Sequence, residues 1–142
     1  MFRALTENLF VAPQITVDAV AEAAAHGVTL VINNRPEGES DDQTPGAEIE
    51  SAAKAAGLDY VAIPVTHAGF SQWQLEAMSE ALQKNEGKVL AYCRSGTRST
   101  LLWSLVQAQA GMHPAEIADR AAAAGYDVAP ISMMLDTLYA AR

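Results

Sequence analysis

Short apolar runs alternate along this chain with longer segments in which apolar residues recur at helical spacing. The runs at 9–12, 28–33, 58–63 and 89–92 predict four β-strands. The run at 28–33 is rich in β-branched residues and almost wholly apolar, which is typical of a strand covered on both faces. We therefore expect a sheet that lies inside the molecule rather than at its surface.

Six segments between and after these runs predict helices. They cover residues 16–26, 46–56, 71–85, 98–110, 114–124 and 130–141, and several are bounded by a cap residue or a glycine. Strands separated by such helices pair in parallel through right-handed crossovers. Residues 1–142 are thus expected to form one α/β domain, with a single-layer, mostly parallel four-stranded sheet flanked by helices.

Polar residues are concentrated in the loops that follow three of the predicted strands. In an open parallel sheet, ligands bind beyond the carboxyl ends of the strands. Residues 33–38, 64–70 and 93–98 are therefore expected to converge and to form the functional site.

The net charge of −8 and the composition narrow the functional classes. Nucleic-acid and anionic-membrane binding both need a cationic surface, so we expect neither. The single cysteine excludes an internal disulfide and a cysteine-rich zinc site, and the three histidines lack metal-ligand spacing, so no metal or cofactor is expected. Because the sequence shows no secretory signal and no apolar stretch of transmembrane length, we expect a cytoplasmic protein.

The cysteine, Cys93, lies between an apolar strand and the start of a predicted helix. The helix N-terminus, together with Arg94 and Arg98, favours the thiolate over the thiol. Gly96 permits backbone conformations in which the N–H groups of residues 95–98 form an anion cradle. We expect a reactive sulfur that is ionised at neutral pH and reachable from solvent.

A strand, a Cys-x₄-Arg loop and a helix in this order resemble the active-site loops of rhodanese-like sulfurtransferases and of the protein tyrosine phosphatase superfamily. With LVINNRP at 30–36, IPV at 63–65 and YCRSGTRS at 92–99, the chain resembles the DUF442 family, also called the beta-lactamase-hydrolase-like phosphatase-like domain. The resemblance implies a phosphatase-like or rhodanese-like catalytic domain. Some members are fused to persulfide-handling enzymes, which implies a separately encoded persulfide dioxygenase as a partner.

Two features of the residues favour sulfur transfer over phosphate-ester hydrolysis. Tyrosine phosphatases carry Cys-x₅-Arg, which would place their arginine at Ser99, whereas Cys-Arg-x-Gly-x-Arg is the rhodanese pattern. The loop at 64–70 also has no carboxylate to protonate an alkoxide leaving group. We expect Cys93 to form a persulfide from thiosulfate or a small persulfide, and to pass the sulfur to a thiol or cyanide.

Two alternatives stay open. A cysteine-dependent phosphatase would act through a phosphocysteine on Cys93, with His67 or an aspartate, Asp41 or Asp42, as the acid. A non-catalytic thiol sensor would use the same reactive cysteine.

The candidate site residues fall into two groups. Cys93 and Arg98 are expected to be catalytic. The residues expected to bind the anionic substrate are Arg94, Ser95, Gly96, Thr97, Ser99, Arg35 and His67. Ser99 is also a candidate donor to the thiolate.

Overall fold

The structure, a computed structural model, describes residues 2–142 and is built around one five-stranded sheet. The strands are β1 (Arg3–Thr6), β2 (Leu9–Ala12), β3 (Val28–Asn33), β4 (Asp59–Ala62) and β5 (Lys88–Tyr92). Their order in the sheet is β1-β2-β5-β3-β4, and all pairs are parallel except β1 with β2. The predicted α/β class, with a mostly parallel sheet in a single layer, is confirmed.

The predicted number of four strands is wrong, because β1 adds a fifth. β1 pairs antiparallel with β2, with Arg3 opposite Val11 and Ala4 opposite Phe10. Only Leu5 among the four β1 residues is buried. So short a strand at the edge of a sheet shows no apolar and polar alternation that a sequence pattern could reveal.

Six α-helices flank the sheet in the described part of the chain. They are α1 (Val17–Ala25), α2 (Gly46–Ala55), α3 (Gln72–Lys84), α4 (Thr97–Ala110), α5 (Pro114–Ala123) and α6 (Ser132–Ala141). Each corresponds to a predicted helix, although α6 begins later than predicted because a 3₁₀ turn occupies Ala129–Ile131. None of the helices in residues 2–142 has the length and apolar character needed to cross a membrane.

The sheet divides the apolar core into two parts. Along β5, Val89 and Ala91 face one part, while Leu90 and Tyr92 face the other, as the two-residue period of a strand requires. Helices α3 to α6 cover the first part, and α1 and α2 cover the second. The central strand β5 is therefore buried on both faces and leads to Cys93 at the carboxyl edge of the sheet.

Candidate active site

Residues 93–96 join the end of β5 to the start of α4. The backbone N–H of Cys93 donates to the carbonyl of Ala12 at 3.4 Å, which ties the loop to β2. Gly96 is the N-cap of α4 and has a φ of 93°, a left-handed conformation that glycine adopts without strain. Its N–H donates to the Cys93 sulfur at 3.1 Å. The turn thus brings a backbone donor to the sulfur.

Further backbone donors belong to the same turn. Within residues 2–142, the N–H groups of Arg94, Ser95, Arg98 and Ser99 have no acceptor, whereas that of Thr97 donates to the Ser95 hydroxyl at 3.3 Å. Unpaired N–H groups at the start of a helix favour a bound anion. The turn therefore has the donors of the expected anion cradle, directly beside the cysteine.

Cys93 itself is fully buried, with an exposed fraction of 0%. The expectation of a sulfur reachable from solvent is wrong for this structure. Cys93 is therefore among the buried residues of the core, but its sulfur accepts a hydrogen bond from the N–H of Gly96. Chemistry at this sulfur requires the groups around it to move apart when a substrate enters.

Arg98, in the first turn of α4, connects the cysteine loop to both neighbouring loops. Its Nη1 donates to the carbonyl of Val65 at 2.6 Å and to Oε2 of Glu39 at 2.7 Å, and its Nη2 donates to Oε1 of Glu39 at 2.8 Å. Val65 follows β4 and Glu39 follows β3. The loops after β3, β4 and β5 therefore converge at this guanidinium group, although Glu39 lies one residue beyond the predicted segment 33–38.

The two edges of the Arg98 guanidinium group are used differently. Glu39 takes the Nη1–Nη2 edge, and the carbonyl of Val65 takes the remaining Nη1 hydrogen. The Nε hydrogen and the second Nη2 hydrogen share the other edge of the planar group, and a hydrogen bond between the Arg98 side chain and Cys93 is among the causes that raise the pKa of Arg98. That edge has the spacing to bind two oxygens of one anion.

Glu39 is ionised in this arrangement. Its hydrogen bonds to Arg98 and Arg35 lower the pKa of the Glu39 carboxyl group from 4.5 to about 2, with the Arg98 bond as the largest cause and burial opposing it. The same bond raises the pKa of Arg98, and the nearby Cys93 adds to that rise. A carboxyl group with so low a pKa has no proton to donate at neutral pH.

Arg35 is buried beside the same carboxylate, with 4% of its side chain exposed. Its Nε donates to Glu39 at 2.9 Å, its Nη1 to Gln14 at 3.0 Å and its Nη2 to Ser40 at 3.0 Å. All three nitrogens therefore have protein acceptors. The structure places this predicted anion-binding residue as a support of the loop after β3, next to Glu39.

Ser99 does not direct its hydroxyl at the sulfur, contrary to the sequence-based expectation. The buried hydroxyl donates to Oδ1 of Asn34 at 2.8 Å, and the Asn34 amide donates to the carbonyl of Ile63 at 2.8 Å. A hydroxyl has one hydrogen to donate, and here that hydrogen connects α4 to the end of β3. Only the backbone N–H of Ser99 is left for the anion cradle.

The other predicted binding residues lie at the rim of the turn or away from it. Ser95 and Thr97 are exposed, and their hydroxyls bond to each other at 3.0 Å. Arg94 is exposed, and its side chain has no hydrogen bond or ion pair within the described residues. His67 is exposed on the loop after β4, and its side chain likewise makes no hydrogen bond there.

None of the expected proton donors contacts the cysteine loop in residues 2–142. The Asp42 carboxylate accepts from Ser40 at 2.7 Å, which lowers its pKa, and Asp41 is exposed without a side-chain partner. Nor do the described residues contain a group of three or more His, Cys, Asp or Glu side chains that could hold a metal ion.

Two residues at the site are not among those expected to be catalytic or to bind the substrate. Glu39 belongs to an acidic loop whose composition is typical of a solvated surface, and it meets Arg98 across 59 positions of chain. Tyr126 lies between α5 and α6, and its hydroxyl donates to the carbonyl of Ser95 at 3.0 Å. No local pattern in the sequence indicates either long-range contact.

Comparison with known proteins identifies relatives of this arrangement. The family model described as "Beta-lactamase hydrolase-like protein, phosphatase-like domain" matches residues 1–110. A beta-lactamase hydrolase-like protein of Agrobacterium fabrum is 32% identical over 138 residues, which is 96% of this chain and 32% of that protein. The chain thus spans about a third of the length of this curated relative.

Solved structures extend the comparison. A crystal structure from Neisseria meningitidis, provisionally described as that of a phosphatase, is 34% identical with a TM-score of 0.86, covering 96% of this chain and 97% of the other. The crystal structure of Tk-PTP in its active form has a TM-score of 0.77 at 16% identity, covering 98% and 96% of the two chains. At that identity the likeness concerns the fold alone.

Proposed function

Because the chain belongs to the family of the phosphatase-like domain of beta-lactamase hydrolase-like proteins, we propose that it is a cysteine-dependent enzyme whose reaction is sulfur transfer. Cys93 is the nucleophile in this proposal, and Arg98 and the unpaired N–H groups of the turn bind the anionic sulfur donor. The donor is thiosulfate or a small persulfide, and the acceptor is a thiol or cyanide. An enzyme that consumes the persulfide product, such as a persulfide dioxygenase, belongs to the same proposal as a partner.

The observation that carries the proposal is that, within residues 2–142, no carboxyl group or imidazole that could donate a proton contacts the cysteine loop. Glu39, the carboxyl group that reaches Arg98, has a pKa of about 2 and is ionised. Hydrolysis of a phosphate ester expels a basic alkoxide, and a positioned acid contributes roughly 10²–10⁴-fold to such a step. Sulfite and thiolates are much weaker bases and leave without protonation. The site is therefore better suited to sulfur transfer.

Both steps of the proposed reaction balance without an added oxidant or proton. The Cys93 thiolate attacks the outer sulfur of thiosulfate; a new S–S bond forms, the original S–S bond breaks, and sulfite leaves with the bonding electron pair. Cyanide or an acceptor thiolate then attacks the terminal sulfur of the Cys93 persulfide. Thiocyanate or a new persulfide leaves, and the Cys93 thiolate is regenerated.

Phosphate-ester hydrolysis is the second candidate. The comparisons favour it more directly than they favour sulfur transfer, because the family description and the Neisseria meningitidis structure both refer to phosphatases. In this candidate, Cys93 forms a phosphocysteine, and the same donors hold the phosphoryl oxygens. The acid would have to come from a loop residue such as His67 or Asp41 after a rearrangement.

One pair of assays separates the two candidates. The purified protein is incubated with thiosulfate and cyanide, and separately with p-nitrophenyl phosphate, and Cys93→Ser serves as the matched control in both. Sulfur transfer predicts thiocyanate in the first assay and none from the variant. Intact mass after thiosulfate alone should then show one added sulfur atom on the wild type.

The other outcomes would overturn the proposal. Nitrophenol without thiocyanate would establish the phosphatase candidate. If neither product forms, but mass spectrometry finds sulfur or oxygen added to Cys93, the protein is a thiol sensor rather than an enzyme of either kind.

A further inference from the structure

The peptide unit between Ser95 and Gly96 is held from both sides. On one side its carbonyl oxygen accepts the hydroxyl of Tyr126 at 3.0 Å, and on the other its N–H donates to the Cys93 sulfur at 3.1 Å. The C=O and N–H of a trans peptide point in opposite directions within one rigid plane. A group that fixes the direction of the carbonyl therefore also fixes the direction of the N–H.

Tyr126 is the external group that holds this peptide. The next carbonyl, that of Gly96, accepts from the backbone and the hydroxyl of Thr100 inside α4. Within residues 2–142, the Ser95 side chain makes hydrogen bonds only with Thr97, two residues further along the same turn. Those contacts are local to the turn and the helix, whereas Tyr126 reaches the turn from the segment between α5 and α6.

Neighbouring residues hold the Tyr126 side chain in place. The Arg3 guanidinium carbon lies 5.5 Å from the centre of the Tyr126 ring, and Arg3 also donates to the carbonyl of Ala124 at 3.0 Å. Burial raises the pKa of Tyr126, so that its phenol keeps its proton and donates at neutral pH. The Tyr126 side chain also lies directly beside Gly96, so a Cβ atom at position 96 would overlap the Tyr126 hydroxyl.

We propose that Tyr126 is a positioning residue, which aligns the Ser95–Gly96 peptide so that the Gly96 N–H stabilises the Cys93 thiolate. The inference rests on the proposed function in that it takes Cys93 as the nucleophile, but it holds for sulfur transfer and phosphate hydrolysis alike. Tyr126 lies outside residues 1–110, the part of the chain that the family model matches. The C-terminal segment thus contributes to the site through a contact that the family match does not cover.

Tyr126→Phe tests the inference, because it removes the hydroxyl and keeps the ring. The thiolate of Cys93 is titrated by its ultraviolet absorbance, with the Cys93→Ser spectrum subtracted, so that the buried sulfur needs no reagent. A hydrogen bond to the charged form favours that form. We expect the midpoint of the titration to rise by roughly half a pH unit, which is about a threefold loss of thiolate below the midpoint.

Tyr139→Phe is the matched control. Tyr139 is a half-buried tyrosine on α6 whose hydroxyl makes no hydrogen bond within residues 2–142, so its variant should titrate like the wild type. An unchanged midpoint in Tyr126→Phe would overturn the inference, even if that variant melted at a lower temperature, because the hydroxyl would then be structural only.

A second measurement needs no variant at position 126. In the wild type, the amide proton of Gly96 should change its chemical shift with the same midpoint as the Cys93 thiolate. If the chemical shift of the Gly96 amide proton does not change as the thiolate forms, the inference is contradicted. Neither measurement depends on turnover, so a failure of the proposed reaction and a failure of this inference are distinguishable.

Discussion

Glu39 and Arg98 form a two-point ion pair, with carboxylate oxygens 2.7 Å from Nη1 and 2.8 Å from Nη2. Such a pair fixes both the position and the plane of the guanidinium group. Glu39 occupies the Nη1–Nη2 edge, which leaves the edge that carries Nε for other partners. Glu39 therefore orients Arg98, and it also places a negative charge beside this guanidinium group.

Glu39→Gln should separate these two effects. The amide keeps the shape of the side chain but loses the charge, so Arg98 is held less firmly while a dianion meets less repulsion. We expect kcat for thiosulfate to fall roughly ten- to a hundredfold, since small misalignments of catalytic groups have effects of this size. KM for thiosulfate should fall at the same time. Steady-state kinetics of the thiocyanate assay measure both constants.

Asp41→Asn provides the control for charge alone. Asp41 lies on the same loop, is exposed, and contacts neither Arg35 nor Arg98. Its variant should keep the wild-type kcat. If Asp41→Asn lowers kcat as far as Glu39→Gln does, the orienting role of Glu39 is refuted and the net charge of the loop explains the result.

The lowered pKa of Glu39 also predicts how stability depends on pH. A carboxyl group whose pKa falls from 4.5 to about 2 on folding stabilises the fold above the unfolded value of 4.5. That stabilisation, about 3 kcal/mol in total, is lost as the pH falls towards 2. Urea unfolding should show the wild type more stable than Glu39→Gln at pH 7, with the gap closing near pH 2. A gap that is constant over this range would contradict the assignment.

The central strands and the cysteine turn were predictable because their signals are local. The apolar run that became β3 has both faces buried, and the cysteine follows β5 directly in the chain. The convergence of the three loops also followed from the parallel sheet, since strands that run in one direction end at one edge. These predictions needed only periodicity and topology.

The contacts of individual side chains were not predictable in the same way. Glu39 lies in an acidic loop of the kind that is usually solvated, yet it pairs with an arginine that lies 59 positions away. The positive charges around Cys93 suggested an exposed sulfur, whereas the sulfur is fully buried. Both features depend on contacts between residues that are distant in the chain, and a sequence pattern does not contain that geometry.

Ser99→Ala tests the structural role that the hydroxyl has in this fold. Removing it leaves Oδ1 of Asn34 buried without its donor, which should cost about 1–2 kcal/mol of unfolding free energy. Ser104→Ala is the matched control, because the carbonyl that accepts the Ser104 hydroxyl lies inside α4 and keeps its helical partner. The midpoint of the Cys93 thiolate titration should not change in either variant. A shifted midpoint in Ser99→Ala without a loss of stability would restore the hydroxyl as a donor to the sulfur.

Gly96→Ala should lower the free energy of unfolding by more than the cost of placing alanine in a left-handed backbone conformation. Gly57→Ala isolates that backbone effect, because Gly57 has a φ of 80° and open space around its Cα. There, alanine should cost about 1 kcal/mol. At Gly96, with a φ of 93°, the added Cβ also overlaps the hydroxyl of Tyr126, so the ring must move and release the Ser95 carbonyl. We expect about 2–4 kcal/mol from strain and overpacking together, and a loss of most activity. Equal losses of stability in the two variants, measured by urea unfolding, would show that the Tyr126 ring does not press on the turn.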